Sequence, residues 1–171
     1  MSVDSSVFEV FKSTATQWPD RPFMEVLPRT ADVYGIEAEE ITYDDAMDEV
    51  EHWIEHLGDA GYGAGMRIAL LLENRPVYFL ILLAANRLGI SVVPINPDLR
   101  SAELEYLIGH AEPALVIAIK SRVADLQTAI DATDVKAKAI TIQDDLPRPR
   151  RDAVIATLTQ DDTQRLSLIH I

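Results

Sequence analysis

The 171-residue sequence contains no cysteine. This absence excludes disulfide bonds, zinc–thiolate sites, and a cysteine nucleophile or thioester carrier within these residues. Long apolar runs are also missing: the longest, residues 77–85, has nine residues, whereas a membrane-spanning helix needs roughly 20. Residues 1–30 show no basic segment followed by an apolar core, so we predict no secretory signal and expect a cytoplasmic protein.

Basic residues are few compared with acidic ones. Lysine and arginine contribute 15 residues against 28 aspartates and glutamates, which gives a formal net charge of −13. A nucleic-acid-binding module needs a basic face, so we predict that nucleic acid is not a partner. Hydrophobic residues make up 48% of the chain and charged residues 25%, values typical of a soluble globular domain.

The most informative stretch is residues 67–105. Its continuous apolar run, Ile68–Leu72, predicts a strand buried on both faces of a parallel sheet. A helix is predicted to start at Arg75 or Pro76, with Asn74 as a capping acceptor. The following segment, Val77–Leu88, is apolar almost all round, which predicts a helix packed between a sheet and further protein.

More elements follow in alternation. Gly89 ends the apolar helix, Val92–Ile95 predicts the next strand, and Ser101 is the predicted cap of another helix, with Glu103 in its first turn. Farther on, Ala114–Ile119, Ser121–Ala132 and Ala137–Ile142 predict a strand, a helix and a strand. This order predicts an α/β fold with a mainly parallel sheet flanked by helices.

The N-terminal part is predicted to hold two helices and a hairpin. Val3, Val7, Phe8 and Phe11 recur at helical spacing, so we predict an amphipathic helix that ends before Trp18. Two short strands, Phe23–Leu27 and Ile36–Ile41, are predicted to form a hairpin that turns at residues 32–35. Thr42, with Asp45 three residues later, predicts the capping box of the clearest amphipathic helix in the chain.

Several motifs allow a functional and a structural interpretation. His52 and His56, with Glu55 between them, match a metallopeptidase pattern, but both histidines also lie on the polar flank of a helix, which is the interpretation we favour. His110 is interpreted as a cation at a helix end.

Gly61, Gly63 and Gly65 lie after a helix and before a strand, whereas a phosphate-binding loop follows a strand and precedes a helix, so we interpret these glycines as a helix stop and turn. The acidic pairs and the proline–arginine run are likewise interpreted as solvated structural residues: Asp44–Asp45, Asp144–Asp145, Asp161–Asp162 and Pro147–Arg151.

Three motifs together resemble one enzyme family. RIALLLEN (residues 67–74), AANRLGISVVPINPDL (84–99) and SAELEYLI (101–108) are similar to the start of the adenylate-forming acyl-CoA synthetases, the AMP-binding ligases. The resemblance extends from Val7 to Asp162 and implies the N-terminal part of the AMP-binding synthetase large domain. The Asn96-Pro97 pair resembles the acyl-CoA synthetase branch more than the peptide-synthetase adenylation branch.

The resemblance implies a reaction that joins a carboxylic acid to ATP and then passes the acyl group to coenzyme A, with magnesium assisting. Four features of the family have no counterpart here: the phosphate loop with its lysine, the Thr-Glu pair, the ribose-binding aspartate and the catalytic C-terminal lysine. Asp161–Thr163 resembles the approach to the phosphate loop. We therefore expect no catalytic, cofactor-binding or metal residue within this sequence. Some members carry a basic residue after the Asn-Pro pair, close to coenzyme A; here that position holds Asp98, with Arg100 two residues later.

The end of the sequence has its own interpretation. Leu166–Ile171 is what a common transposon-based sequencing adaptor encodes, so we expect residues 1–165 to be an N-terminal fragment of the AMP-binding domain and residues 166–171 to be an artefact. Two alternatives remain open. Besides the acyl-CoA synthetase fragment, the chain could be a stand-alone, non-catalytic, flavodoxin-like α/β binding module or a fragment of a peptide-synthetase adenylation domain.

Overall fold

The computed structural model describes residues 6–144 and 146–147. Six α-helices and one 3₁₀ turn occur within these residues. The α-helices are α1 (Val7–Gln17), α2 (Pro28–Tyr34), α3 (Tyr43–Ala60), α4 (Pro76–Leu88), α5 (Ser101–Ala111) and α6 (Val123–Asp131), and the 3₁₀ turn is Lys120–Arg122. The strands are β1 (Pro22–Glu25), β2 (Glu40–Thr42), β3 (Arg67–Leu71), β4 (Ser91–Pro94), β5 (Leu115–Ala118) and β6 (Ala139–Ile140).

The main sheet has four parallel strands in the order β4-β3-β5-β6. In its register, Ile68 of β3 pairs with Val92 of β4 on one side and with Leu115 of β5 on the other. All four residues of β5 are buried, as expected of strands covered on both faces. The predicted α/β fold with a parallel sheet flanked by helices is confirmed.

Alternate residues of the central strand face two separate hydrophobic clusters. Ile68 and Leu70 pack with α1, α3 and α4 on one face of the sheet, whereas Ala69 and Leu71 pack with α5 and α6 on the other. This alternation follows from the two-residue repeat of a strand. The sheet is therefore covered by a helical layer on each side.

Gly89 is the point at which the chain turns from α4 into β4. Its φ is +70°, a left-handed conformation, and its N–H donates to the carbonyl of Asn86 at 3.3 Å. A Cβ at this position would lie 3.1 Å from the Cβ of Ala64. Both the backbone conformation and this close approach favour glycine, so the predicted helix end is confirmed.

The predicted hairpin is partly wrong. Strands β1 and β2 do pair antiparallel, but helix α2 lies between them, and residues 36–39 are not part of a strand. Pro28 occupies the first turn of α2 and Gly35 ends it in a left-handed conformation, which are the usual residues for these positions. The connection is therefore a short helix and not a turn at residues 32–35.

Two predicted helix caps are also wrong. Asn74 does not cap α4, because Arg75 is the N-cap residue and no side chain accepts there. Ser101 is the first residue inside α5, and it is the carboxylate of Glu103 that accepts a hydrogen bond from the backbone N–H of Arg100 at 2.8 Å. A carboxylate at the third helical position satisfies the free amide and also suits the helix dipole.

The capping box of α3 is confirmed. The N–H of Thr42 donates to the carboxylate of Asp45 at 3.0 Å, and the N–H of Asp45 donates to the hydroxyl of Thr42 at 3.2 Å.

The predicted N-terminal helix is present and ends at the predicted place, but Val7 is exposed and Val3 lies outside the described residues. Strands β5 and β6 and helix α6 are shorter than predicted and of the predicted type. Within the described residues, no helix has both the length and the apolar character that crossing a bilayer demands.

Candidate functional site

The carboxyl ends of the parallel strands define the candidate site. From β3 the chain first adds β4 on one side and then β5 on the other, so the strand order reverses next to β3. In open α/β sheets, ligands bind outside the carboxyl ends of the strands at such a point. We call this region the carboxyl edge; it comprises residues 73–75 after β3, 96–100 after β4 and 120–122 after β5.

After β3, the backbone takes an uncommon conformation at Glu73, whose φ is +57°. A residue of this type rarely adopts the left-handed region, which costs of order 1–3 kcal/mol and recurs at functional sites. The Glu73 carboxylate lies 3.4 Å from the Nε of Arg75, an ion pair that is partly shielded from solvent. Arg75 also donates to the backbone carbonyl of Tyr34 at 2.8 Å, and its guanidinium lies 5.3 Å from the Tyr34 ring centroid.

After β4, the loop is held by an arginine from another strand end. Arg122 donates hydrogen bonds to the backbone carbonyls of Pro97 and Leu99, the latter at 3.1 Å. Its Nε lies 3.0 Å from a carboxylate oxygen of Asp125. Arg122 therefore connects the loop after β4 to the start of α6 and fixes the shape of the carboxyl edge.

Asp98 occupies the position at which some family members carry a basic residue. The Asp98 side chain is exposed, and the backbone N–H of Asp98 donates to the side-chain oxygen of Asn96 at 2.9 Å. Arg100 is exposed as well. Because Asp98 is acidic, we assign no coenzyme A contact to this loop, and this assignment stays a prediction.

The cations of the carboxyl edge differ in what they contact. A phosphate grip needs several free amides and a cation directed at the phosphate. Pro76 supplies no amide in the first turn of α4, and the guanidinium groups of Arg75 and Arg122 contact carboxylates and backbone carbonyls. Arg100 and Lys120 of the same edge are exposed. The contacts of Arg75 and Arg122 position the loops, and the expectation that this sequence holds no cofactor-binding residue stays a prediction.

The histidine pair lies on the surface of α3. His52 and His56 are both exposed, with ring centroids 5.1 Å apart, whereas Trp53 and Leu57 of the same helix are buried. No group of three histidine, cysteine, aspartate or glutamate side chains is placed to hold a metal ion anywhere in the part of the chain that the structure describes. His110 lies in the last turn of α5, as predicted.

The glycines and acidic pairs take the predicted structural roles where they are described. Gly61 ends α3 with a φ of +99°. Two hydrogen bonds from Thr42 hold the pKa of Asp45 below its usual value. The bond from the Thr42 hydroxyl has the larger effect, and the bond from the Thr42 amide has the smaller one. The Thr141 amide does the same for the pKa of Asp144. Asp145, Asp161, Asp162 and residues 148–151 lie outside the described residues.

Sequence reasoning missed both arginines that shape the carboxyl edge. Arg75 is predicted only as a helix start, although it lies in the loop after a buried strand, where ligands of open α/β sheets bind. Arg122 lies three residues before Asp125, a spacing that pairs side chains on one helical face. Its contacts with the loop after β4 depend on tertiary structure and have no local signal.

Comparison with known proteins identifies the class. A model of the AMP-binding enzyme family matches residues 11–168. The chain therefore belongs to the family of AMP-binding enzymes, the adenylate-forming ligases.

Two of the relatives are named as acid–CoA ligases. The chain is 29% identical over 106 residues to the mitochondrial medium-chain acyl-CoA ligase ACSF2 of Mus musculus, a match covering 62% of this chain and 16% of that protein. It is 26% identical over 155 residues to the sulfoacetate–CoA ligase of Cupriavidus necator, covering 81% of this chain and 29% of that protein. The chain thus spans less than a third of the length of either relative.

A solved structure shares the fold. The anthranilate CoA ligase AuaEII, crystallised in complex with anthranoyl-AMP, matches with a TM-score of 0.70 at 14% identity. The match covers 83% of this chain and 26% of that protein. Residue identity at this level shows the fold alone.

Proposed function

We propose that this chain is the N-terminal segment of an ATP-dependent acyl-CoA synthetase, a ligase that converts a carboxylic acid to its CoA thioester through an acyl-adenylate. The observation that carries the proposal is the family match over residues 11–168, together with relatives whose names specify acid–CoA ligation. The Asn96-Pro97 pair after β4 supports the same branch. ATP, magnesium, coenzyme A and a small carboxylic acid are the proposed substrates and cofactors of the whole enzyme.

The proposed reaction has two balanced steps. A carboxylate oxygen attacks the α-phosphorus of ATP and releases pyrophosphate; the thiol of coenzyme A then attacks the acyl carbon and releases AMP. Both steps need positioned charge around phosphate oxygens, and the family's phosphate loop has no counterpart in this sequence. The proposed role of this segment is therefore structural, and the nucleotide-handling groups belong to the rest of the enzyme.

The test uses the complete product of the gene's reading frame, extended beyond codon 165. Purified enzyme is incubated with ATP, magnesium, coenzyme A and a panel of aliphatic, aromatic and sulfonated carboxylic acids, and CoA thioesters are separated by chromatography. We expect a CoA thioester that forms only when acid and ATP are both present. Acid-dependent pyrophosphate exchange without any CoA thioester would support the adenylation-domain alternative instead.

A stop codon directly after codon 165 in the genomic sequence would overturn the proposal and support the stand-alone module. The thermal unfolding of the 171-residue chain provides a second criterion. A sharp two-state transition would favour an independent module, because such a module buries its own core. We expect a broad transition with aggregation, since part of the apolar surface of this segment is uncovered.

A further inference from the structure

Helix α3 carries a histidine pair that the proposed function does not use. His52 and His56 are four positions apart in one continuous helix, so their side chains lie on the same helical face. Both side chains are exposed, and their ring centroids are 5.1 Å apart. The ring nitrogens of both residues are therefore accessible to an ion from solvent.

The separation of the two rings suits a shared metal ion. Metal–nitrogen bonds of roughly 2.0–2.1 Å place the centroids of two imidazoles on one tetrahedral ion about 5 Å apart. The 5.1 Å between His52 and His56 is close to this value. The two ring planes are inclined by 27°, and rotation about each Cβ–Cγ bond, a soft torsion, directs one nitrogen of each ring at a common point.

The helix that carries the pair is anchored in the core. Trp53 and Leu57 are buried in the same hydrophobic cluster as strand β3, and the indole N–H of Trp53 donates to the Glu49 carboxylate at 3.0 Å. The Trp53 ring lies beside both histidines, with centroid distances of 6.4 Å to His52 and 6.3 Å to His56. Ligands on a fixed helix lose little freedom when they bind an ion, which favours affinity.

The charge around the pair favours a cation. Helix α3 contains seven acidic residues and no lysine or arginine. Asp48, Glu55 and Asp59 are exposed and lie three or four positions from one of the histidines, a spacing that places side chains on one face. Their negative potential attracts cations in general, whereas the imidazoles select zinc, copper and nickel over magnesium and calcium.

We propose that His52 and His56 form a surface site for a divalent transition-metal cation such as Zn²⁺ or Cu²⁺, with water in the remaining coordination positions. No third histidine, cysteine, aspartate or glutamate is placed to complete the set within the described residues, so this open site is not the enclosed centre of a metallopeptidase.

The proposed site is separate from the magnesium of the proposed reaction, because Mg²⁺ prefers oxygen ligands. The inference is therefore independent of the proposed function. It departs from the expectation, implied by the family resemblance, that this sequence holds no metal residue, and it does so at this histidine pair alone.

Two measurements test the site. In the 171-residue chain, Trp18→Phe leaves Trp53 as the remaining tryptophan, and its fluorescence reports bound Cu²⁺, which quenches an adjacent indole. CuCl₂ is titrated into this protein and into its His52→Gln and His56→Gln variants, with His110→Gln, a histidine of α5, as the matched control. Circular dichroism verifies that each variant is folded. In the complete gene product, calorimetric titration with ZnCl₂ compares the same histidine variants, so the test does not depend on how well the shorter chain folds.

We expect saturable quenching at one Cu²⁺ per chain, reversed by EDTA. His52→Gln and His56→Gln should each weaken Cu²⁺ and Zn²⁺ binding at least tenfold, because chelation by the second imidazole is lost, and His110→Gln should leave both unchanged. One Zn²⁺ per two chains, lost in His56→Gln, would support the pair as ligands and place the ion between two copies. If neither His52→Gln nor His56→Gln changes Zn²⁺ binding by the complete gene product, the proposal is overturned, whatever the shorter chain shows.

Discussion

The side-chain oxygen of Asn86 accepts a hydrogen bond from the backbone N–H of Phe8 at 2.9 Å. This N–H belongs to the first turn of α1, where amides have no partner within the helix. A side chain of α4 thus accepts the hydrogen bond of an α1 amide that lies 78 positions away in the sequence. The contact holds α1 and α4 in a fixed relation.

Replacing Asn86 by leucine should loosen this contact. The substitution keeps the approximate size of the side chain but removes the acceptor, so the Phe8 amide loses its partner and the free energy of unfolding should fall by about 1–2 kcal/mol. Hydrogen exchange at the Phe8 amide should accelerate more than exchange within α3. Asn74→Leu, at another exposed asparagine, is the control. An unchanged exchange rate at Phe8 would show that this hydrogen bond contributes nothing.

The Arg75 side chain should stabilise the loops of the carboxyl edge. Arg75→Met removes the hydrogen bond to the Tyr34 carbonyl and leaves the Glu73 carboxylate without its ion-pair partner. Loss of a hydrogen bond from a charged group predicts a decrease of about 1.5–3 kcal/mol in the free energy of unfolding, measured by urea denaturation. Arg100→Met, at an exposed arginine, should have little effect. Equal losses for the two variants would contradict the structural role of Arg75.

Tyr62 should make the stability depend on alkaline pH. Its hydroxyl donates to the carbonyl of Pro147 at 2.7 Å, and burial raises the pKa of Tyr62 from 10.0 to about 12. Below pH 10 the phenol is protonated in the folded and in the unfolded chain. Between pH 10 and 12 the unfolded chain releases the proton while the folded chain retains it, so the free energy of unfolding falls as the pH rises.

The measurement compares three proteins between pH 9 and 12. The unmodified chain should lose more stability over this range than Tyr62→Phe, which has no phenol to titrate at this position. Tyr106→Phe, which removes an exposed phenol, should behave like the unmodified chain. If Tyr62→Phe loses stability as steeply as the unmodified chain, the raised pKa does not contribute.

The central elements were predictable because their local signals agree. The apolar run Ile68–Leu72 has no polar face, so it can only be a strand covered on both sides, and Gly89 is required where α4 turns into β4. The capping box at Thr42 follows from two residues three positions apart. In each case the information lies within a few residues of the element that it specifies.

Other features depend on contacts that a local pattern does not contain. Glu73 takes the left-handed conformation although Asn74, which tolerates it better, is the next residue, so the tertiary structure decides which of them does so. The helix Pro28–Tyr34 was missed because its apolar residues do not form a clear helical stripe. Asn86 and Arg122 act over 78 and 25 positions, respectively. The candidate site is therefore less predictable from sequence than the sheet.

Acid-dependent exchange of labelled pyrophosphate into ATP tests the central claim most directly, because this exchange requires the adenylate-forming site and nothing downstream of it. The complete gene product and the 171-residue chain are assayed side by side with the acid that gives a CoA thioester. The account predicts exchange by the complete product and none above background by the 171-residue chain, whose sequence has no counterpart of the family's phosphate loop. Robust exchange by the purified 171-residue chain would contradict it.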